Sequence, residues 1–293
     1  ACRLLDLTEA NGRTVDRLIG LKFPAYLIRH PNKVLWILHQ HRQAYEMWDH
    51  PLGDMIRCAG GEEARDAIRR ADAQLIPEAK AVFANSQNVA NRLKQFCGLD
   101  STPLYHPPHQ ADTFYCEADD GYFLYPSRIN AAKRQHLAVE GLAGTGSNSR
   151  LVICGESEDD TYLQSIHVLV EKLGLRERVQ FLGRVGDEEK LRLFARCRAV
   201  VYPPVDEDYG YVTLEAMLAS KPVVTCADSG GPLEFLEHGV TGLVAEPECA
   251  AMQAAMAQLA VDPTKAAAMG RAGREAYLAR GITWENVVTR LLA

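Results

Sequence analysis

From residue 122 onward, short apolar runs alternate with helical stretches, and no other feature of the chain constrains its fold as tightly. The apolar runs are Phe123–Tyr125, Leu151–Ile153, Val179–Leu182, Ala199–Tyr202, Pro222–Thr225 and Gly242–Ala245. Helical patterns fall between them near 132–143, 160–174, 187–197, 211–219 and 231–238. Strands that read as near-continuous hydrophobic runs are buried on both faces. Alternation with helices implies βαβ crossovers, hence a doubly wound parallel sheet. Such sheets take their ligands at the carboxyl ends of the strands.

The N-terminal part shows the same alternation with fewer units. Val15–Leu21, Lys33–Leu38 and Ala81–Asn85 read as strands, and 61–80 as a helix with acids early and basic residues later. Ser86 is placed to cap a helix over Gln87–Phe96. Pro107-Pro108 and the acidic stretch Glu117–Gly121 mark a boundary between two domains.

Charge and cysteine usage exclude several classes. The net charge is −6, and the first 117 residues carry 14 basic and 14 acidic side chains, so the acidity lies in the remainder. A nucleic-acid binder would show a basic surface. The densest basic group, Arg57, Arg65, Arg69 and Arg70, is interleaved with Glu62, Glu63 and Asp66 and reads as a solvated face, with weak membrane-surface association as the minor reading. The eight cysteines form no Cys-x-x-Cys pair, which argues against a zinc or redox motif and for a reduced, cytoplasmic setting. No apolar run is long enough to span a bilayer, and the opening residues lack the regions of a signal peptide.

The stretch richest in chemistry is Asp206-Glu207-Asp208-Tyr209-Gly210-Tyr211-Val212-Thr213-Leu214-Glu215. Two carboxylates flank a glycine-containing loop that runs into a helix. A helix-opening turn presents backbone N–H groups without intrahelical acceptors and is a ready anion site. Acids beside such a site suit a ligand that is part phosphate and part polyhydroxyl, as a nucleotide sugar is. The bare spacing of two acids is weak evidence, and a helix-entry loop with solvated acids would look similar. The Lys221–Thr225 strand pattern and the Ser229-Gly230-Gly231-Pro232 turn that follow favour the functional reading.

With those flanks, the Glu-x7-Glu pattern resembles the signature of family 4 retaining glycosyltransferases, which have the GT-B fold. The resemblance implies two Rossmann-like domains with parallel sheets: residues 1–118 on the acceptor side, 119–280 binding the nucleotide sugar, and 281–293 as a helix crossing back to the first domain. The first domain looks incomplete by the same comparison. No glycine-rich loop follows a first strand, and the resemblance implies that two or three βα units of that domain are absent.

The resemblance also assigns roles. Glu207 contacts donor-sugar hydroxyls and Glu215 the ribose, while Gly210, Tyr211 and Val212 offer backbone amides to the diphosphate. Arg128 and Lys133, in Pro126-Ser127-Arg128-Ile129-Asn130-Ala131-Ala132-Lys133, match a basic pair that holds the diphosphate. Cations at a helix start are mildly unfavourable, so a structural reason for Arg128 is weak. Gly183, Arg184 and Val185 resemble the turn that edges the base, and Gly155 after Val152-Ile153-Cys154 is similar, although both read nearly as well as plain βα turns. His39, in Leu38-His39-Gln40-His41-Arg42, is the candidate near the reacting sugar, weighed against the commoner structural role of a strand-end histidine. Trp284 reads as a packing anchor.

Together these readings imply a metal-independent glycosyltransferase of the hexosyltransferase type (EC 2.4) in glycan or glycolipid biosynthesis. It would use a UDP-, GDP- or ADP-sugar, a sugar, lipid or other hydroxyl acceptor, no bound cofactor and no nucleic acid, in the cytoplasm or peripherally at the inner membrane face. Two alternatives stand beside it. One is a donor-binding but inactive GT-B protein, and the other is a GT-B epimerase or phosphorylase.

Overall fold

The computed structural model describes residues 2–293. The chain divides into two units, Ala1–His106 with Thr283–Ala293, and Pro107–Ile282.

After a 3-10 turn, Cys2–Leu4, the first unit forms a short antiparallel hairpin, β1 (Glu9–Ala10) and β2 (Arg13–Thr14). Four parallel strands then form its sheet in the order β3 (Leu18–Lys22), β4 (Lys33–His39), β5 (Ala81–Ala84) and β6 (Thr102–Pro103). Helix α1 (Gly61–Leu75) lies between β4 and β5, and α2 (Gln87–Cys97) between β5 and β6. The serine cap forms as the sequence implies: the Ser86 hydroxyl accepts from the Val89 N–H at 3.0 Å. The helix expected over 61–80 closes at Leu75 in a 3-10 turn, Ile76–Glu78, because Pro77 cannot continue the ladder. The strand expected from Val15 begins only at Leu18.

The second unit carries the regular alternation. Strands β7 (Tyr122–Pro126), β8 (Arg150–Cys154), β9 (Val179–Gly183), β10 (Ala199–Val201), β11 (Val223–Cys226) and β12 (Gly242–Ala245) are linked through α3 (Gln135–Ala143), α4 (Asp160–Lys172), α5 (Asp187–Arg196) and α6 (Tyr211–Leu218). All pairings are parallel, in the spatial order β12-β11-β10-β7-β8-β9. In sequence terms this is 3-2-1-4-5-6, the doubly wound order whose direction reverses between its first and fourth strands. The crevice at that reversal lies at the carboxyl ends of β7 and β10. Burial follows the periodicity: all four residues of β11 are buried, as are the last four of β8, as expected of strands covered on both faces.

Two further helices, α7 (Cys249–Val261) and α8 (Pro263–Ala279), follow β12, and Asp262 caps α8 by accepting from the Lys265 N–H. Both are alanine-rich and weakly patterned, so periodicity did not mark them. The segment 231–238 is a 3-10 turn, Gly231–Glu234, and not a full helix.

The last helix, α9 (Trp284–Leu292), belongs to the first unit. Its Val287 and Leu291 pack with Val34, Trp36, Phe83 and Leu104. Trp284 meets Trp36 edge-on at 6.2 Å, and His106 lies 4.9 Å from Trp36. Burial in this cluster pulls the His106 imidazole down to about 4. The folded value is depressed, so its contribution is intact above the unfolded value near 6.5 and lost as pH falls toward 4. We expect acid to cost up to about 3 kcal/mol over that window, and His106→Gln to flatten the dependence. Urea melts at pH 7 and pH 4.5 check this; equal loss in both proteins would count against it. Among the described residues no helix is long and apolar enough to cross a membrane.

Candidate functional site

The carboxyl ends of β7 and β10 carry the closest grouping. After β7 the chain makes a 3-10 turn, Ala131–Lys133, capped by Asn130, whose Oδ1 accepts from the Lys133 N–H at 3.1 Å. After β10 the loop 202–210 is pinned from both sides. Val205 N–H donates to Ala132 O at 2.8 Å, Glu207 N–H to Ser229 O at 2.9 Å, and Gly231 N–H to Glu207 O at 2.8 Å. These main-chain bonds align Lys133 with Glu207. Lys133 Nζ bonds Glu207 Oε2 directly and lies 3.2 Å from the Tyr202 hydroxyl. Both side chains are largely buried, 11% and 22% exposed, so the charges meet in a medium that strengthens them. The Tyr125 hydroxyl donates to Lys133 O beneath them.

A second grouping lies at the ends of β7, β8 and β9. Arg128, Gly155, Arg184, Val185 and Lys190 line a cavity of about 180 Å³. Gly155 is required here: its φ is +143°, and a Cβ would stand 2.0 Å from Ser127 O. Its N–H donates to Gly183 O at 2.8 Å, which fixes the 183–185 turn. Arg128 is 64% exposed and pairs with Glu158, whose other oxygen accepts from Asn130 Nδ2 at 2.6 Å. Arg184 pairs with Glu156 at 3.6 Å.

Glu215 joins the second grouping through Lys190, whose Nζ lies 2.5 Å from Glu215 Oε1. Burial pushes the Glu215 carboxyl above the usual carboxylate range, against the pull of Lys190. Tyr202 ties the two groupings together. Burial raises its phenol far above the ordinary value, and the fields of both Glu207 and Glu215 add to that rise. Gly210 opens α6 with φ +82° and no side-chain cap, and a Cβ there would meet Pro232 Cγ at 2.7 Å. Tyr211 and Val212 form the first turn, with Glu215 one turn further on the buried side.

The structure therefore brings Arg128, Lys133, Gly155, Gly183, Arg184, Val185, Glu207 and Glu215 to the carboxyl edge of one sheet. His39 is in the other unit, at the end of β4, where its Nδ1 lies 2.7 Å from Gln40 O. Sequence reading passed over Lys190, Tyr202, Glu158 and Arg134. Lys190 carried a signal: it is the lone cation in the first turn and a half of a helix that opens Asp187-Glu188-Glu189. Tyr202 and Glu158 carried none, since nothing local says that a strand-end tyrosine will face a lysine 69 residues away.

Residues 116–276 match the family model of glycosyl transferases group 1. The human α-1,3/1,6-mannosyltransferase ALG2 is 35% identical over 142 residues, 48% of this chain and 32% of that protein. The D-rhamnosyltransferase WbpZ of Pseudomonas aeruginosa is 33% identical over 159 residues, 53% of this chain and 40% of that one. The matched part thus spans roughly a third to two-fifths of these curated relatives. Among solved structures, Anabaena HepE in complex with UDP and glucose superposes with a TM-score of 0.72 at 22% identity, covering 89% of this chain and 70% of that one. That likeness shows the fold, which is GT-B.

Proposed function

The chain belongs to the group 1 glycosyl transferases, and from that premise we propose that it transfers a sugar from a nucleotide-diphosphate donor to a hydroxyl acceptor with retention of configuration. The observation that carries this reading is the Lys133–Glu207 pair, held by main-chain bonds at the reversal point of a 3-2-1-4-5-6 sheet. Breaking the bond between the anomeric carbon and the phosphate oxygen sends the electron pair to the diphosphate. Lys133, Arg128 and Lys190, with the amides that open α6, supply fixed positive charge where that charge grows. We assign this stabilisation to side chains and dipoles instead of a metal. The acceptor oxygen bonds to the same face of the sugar, and its proton passes to the departing phosphate.

Glu207 is assigned to donor-sugar hydroxyls. Glu215, kept close to a buried position by Lys190, is assigned to the ribose. The Gly155 and Gly183–Val185 turns are assigned to the base edge. His39, at the end of β4, is assigned to the reacting sugar on its strand-end position alone. A cytoplasmic setting belongs to the same proposal. The relatives are named for mannose and rhamnose transfer, while HepE holds UDP and glucose. A panel must therefore cover UDP, GDP and ADP with their sugars.

Calorimetry with that panel, paired with a turnover assay, tests the reading. One nucleoside diphosphate should bind preferentially and its sugar should be transferred or hydrolysed. Binding without turnover would reduce the protein to a donor-binding role. Arg128→Ala should weaken diphosphate affinity about fivefold to tenfold, the modest end of a charge-assisted contact because Arg128 is well exposed. Unchanged affinity would remove Arg128 from the phosphate site.

A further inference from the structure

A second cavity in the unit Pro107–Ile282, about 560 Å³, lies at the opposite edge of the sheet from the donor groups, among Cys116, Asp119, Arg198, Lys221, Pro222 and Arg271. Its volume is in the range of small-molecule sites. Lys221 lies in the turn between α6 and β11, and its N–H donates to Ala216 O at 2.8 Å. Its side chain is buried, with the residue only 5% exposed, and its Nζ donates to Glu117 O at 3.1 Å. No carboxylate of the described residues pairs with it. A buried ammonium with one carbonyl partner is costly unless an opposite charge completes the site.

The acids nearby are already committed. Glu117 and Asp120 both take Arg196, at 2.9 and 2.7 Å, and Asp119 takes Arg198 at 2.8 Å, whose Nη1 also donates to Ala260 O. Arg271, exposed, adds a second cation to the lining and is in no ion pair among the described residues. The charge left over is therefore positive. Pro222, Ala266 and Ala267 supply apolar wall.

We propose that this cavity is a binding site for a small oxyanion ligand, with Lys221 as the buried anchor and Arg271 as the rim contact. The anionic group is a phosphate monoester or a carboxylate; both place oxygens on an ammonium, and the guanidinium can take either bidentately. The site does not depend on the donor assignment. It lies at the amino ends of the strands, whereas the donor groups lie at the carboxyl ends.

Cys116 gives a local readout, since its thiol is exposed and it lines the cavity. Alkylation by iodoacetamide is followed by mass spectrometry at Cys116, with the exposed Cys58 and Cys249 as internal references. Inorganic phosphate and acetate are the probes, each against chloride at matched ionic strength. At about ten times its Kd an anion should slow Cys116 labelling about tenfold, because only the empty fraction reacts, and leave the references unchanged. Protection by phosphate alone identifies a phosphate ligand, and protection by both identifies a general oxyanion site. Arg271→Ala, a surface change that leaves folding intact, should lose most of the protection, and Lys221→Met all of it. Equal Cys116 labelling with and without both anions in the parent protein, or full protection retained in Arg271→Ala, would overturn the proposal.

Discussion

Replacing Glu207 by alanine should lower kcat about 10²–10³-fold while nucleotide affinity changes less than about threefold. The asymmetry follows from position. Glu207 sits on the β10 side of the crevice, and its carboxylate is oriented by Lys133 and by main-chain bonds to Ser229 and Gly231. The groups assigned to the base, Gly155 and Gly183–Val185, lie toward β8 and β9 and are untouched by the change. If the carboxylate grips the sugar more tightly as the anomeric centre gains positive character, its loss falls on the transition state. Removing it also frees Lys133 to turn to the diphosphate, so nucleotide affinity should hold or tighten slightly. Glu207→Gln keeps the shape and loses the charge, and should fall between parent and alanine. Single-turnover kinetics beside calorimetry separates the two quantities. A variant with parental kcat and a lowered Tm would show that Glu207 is only the structural partner of Lys133.

The strand pattern of the second unit was legible because a parallel sheet covered on both faces writes itself as unbroken apolar runs, as in Leu151–Cys154 and Val223–Cys226. All six of its strands were anticipated within a residue or two. Helices α7 and α8 were not, because alanine serves equally on buried and exposed faces and leaves no amphipathic stripe in Cys249–Val261. The short helix read over 231–238 failed for a different reason: Pro232 suits the first helical position, but the turn closes after Glu234. In the site, residues named by local motif came out beside one another, as Lys133 and Glu207 did. What stayed hidden were the partners supplied from elsewhere in the chain. Lys190 on Glu215 and Glu158 on Arg128 are pairings of 25 and 30 residues' separation that only the sheet order brings together.

Arg134→Ala should cost the second unit about 3 kcal/mol, or roughly 6–12 °C in Tm, and should reduce turnover as well. Arg134 is a non-glycine residue held at φ +59°, a conformation that persists only where its surroundings over-determine it. The surroundings are visible. Its Nε donates to Pro203 O at 2.7 Å and Nη2 to Pro204 O at 2.7 Å, while the guanidinium forks onto Asp228 at 2.6 and 2.8 Å. One side chain thus clamps the turn bearing Lys133, the loop leading to Glu207 and the turn after β11. Truncation leaves two proline carbonyls without this donor and the Asp228 carboxylate without its cation. Asp228 is 45% exposed and regains some hydration, which keeps the cost at the lower end for a broken ion pair. Arg134→Lys should rescue little, because an ammonium cannot reach Asp228 and both carbonyls in one planar fork. The catalytic loss should appear in kcat before KM, since the loop that loosens carries Glu207. A parental melting curve for Arg134→Ala would show that the main-chain bonds Val205–Ala132 and Glu207–Ser229 hold the crevice unaided, and the clamp would then have no part in aligning the pair.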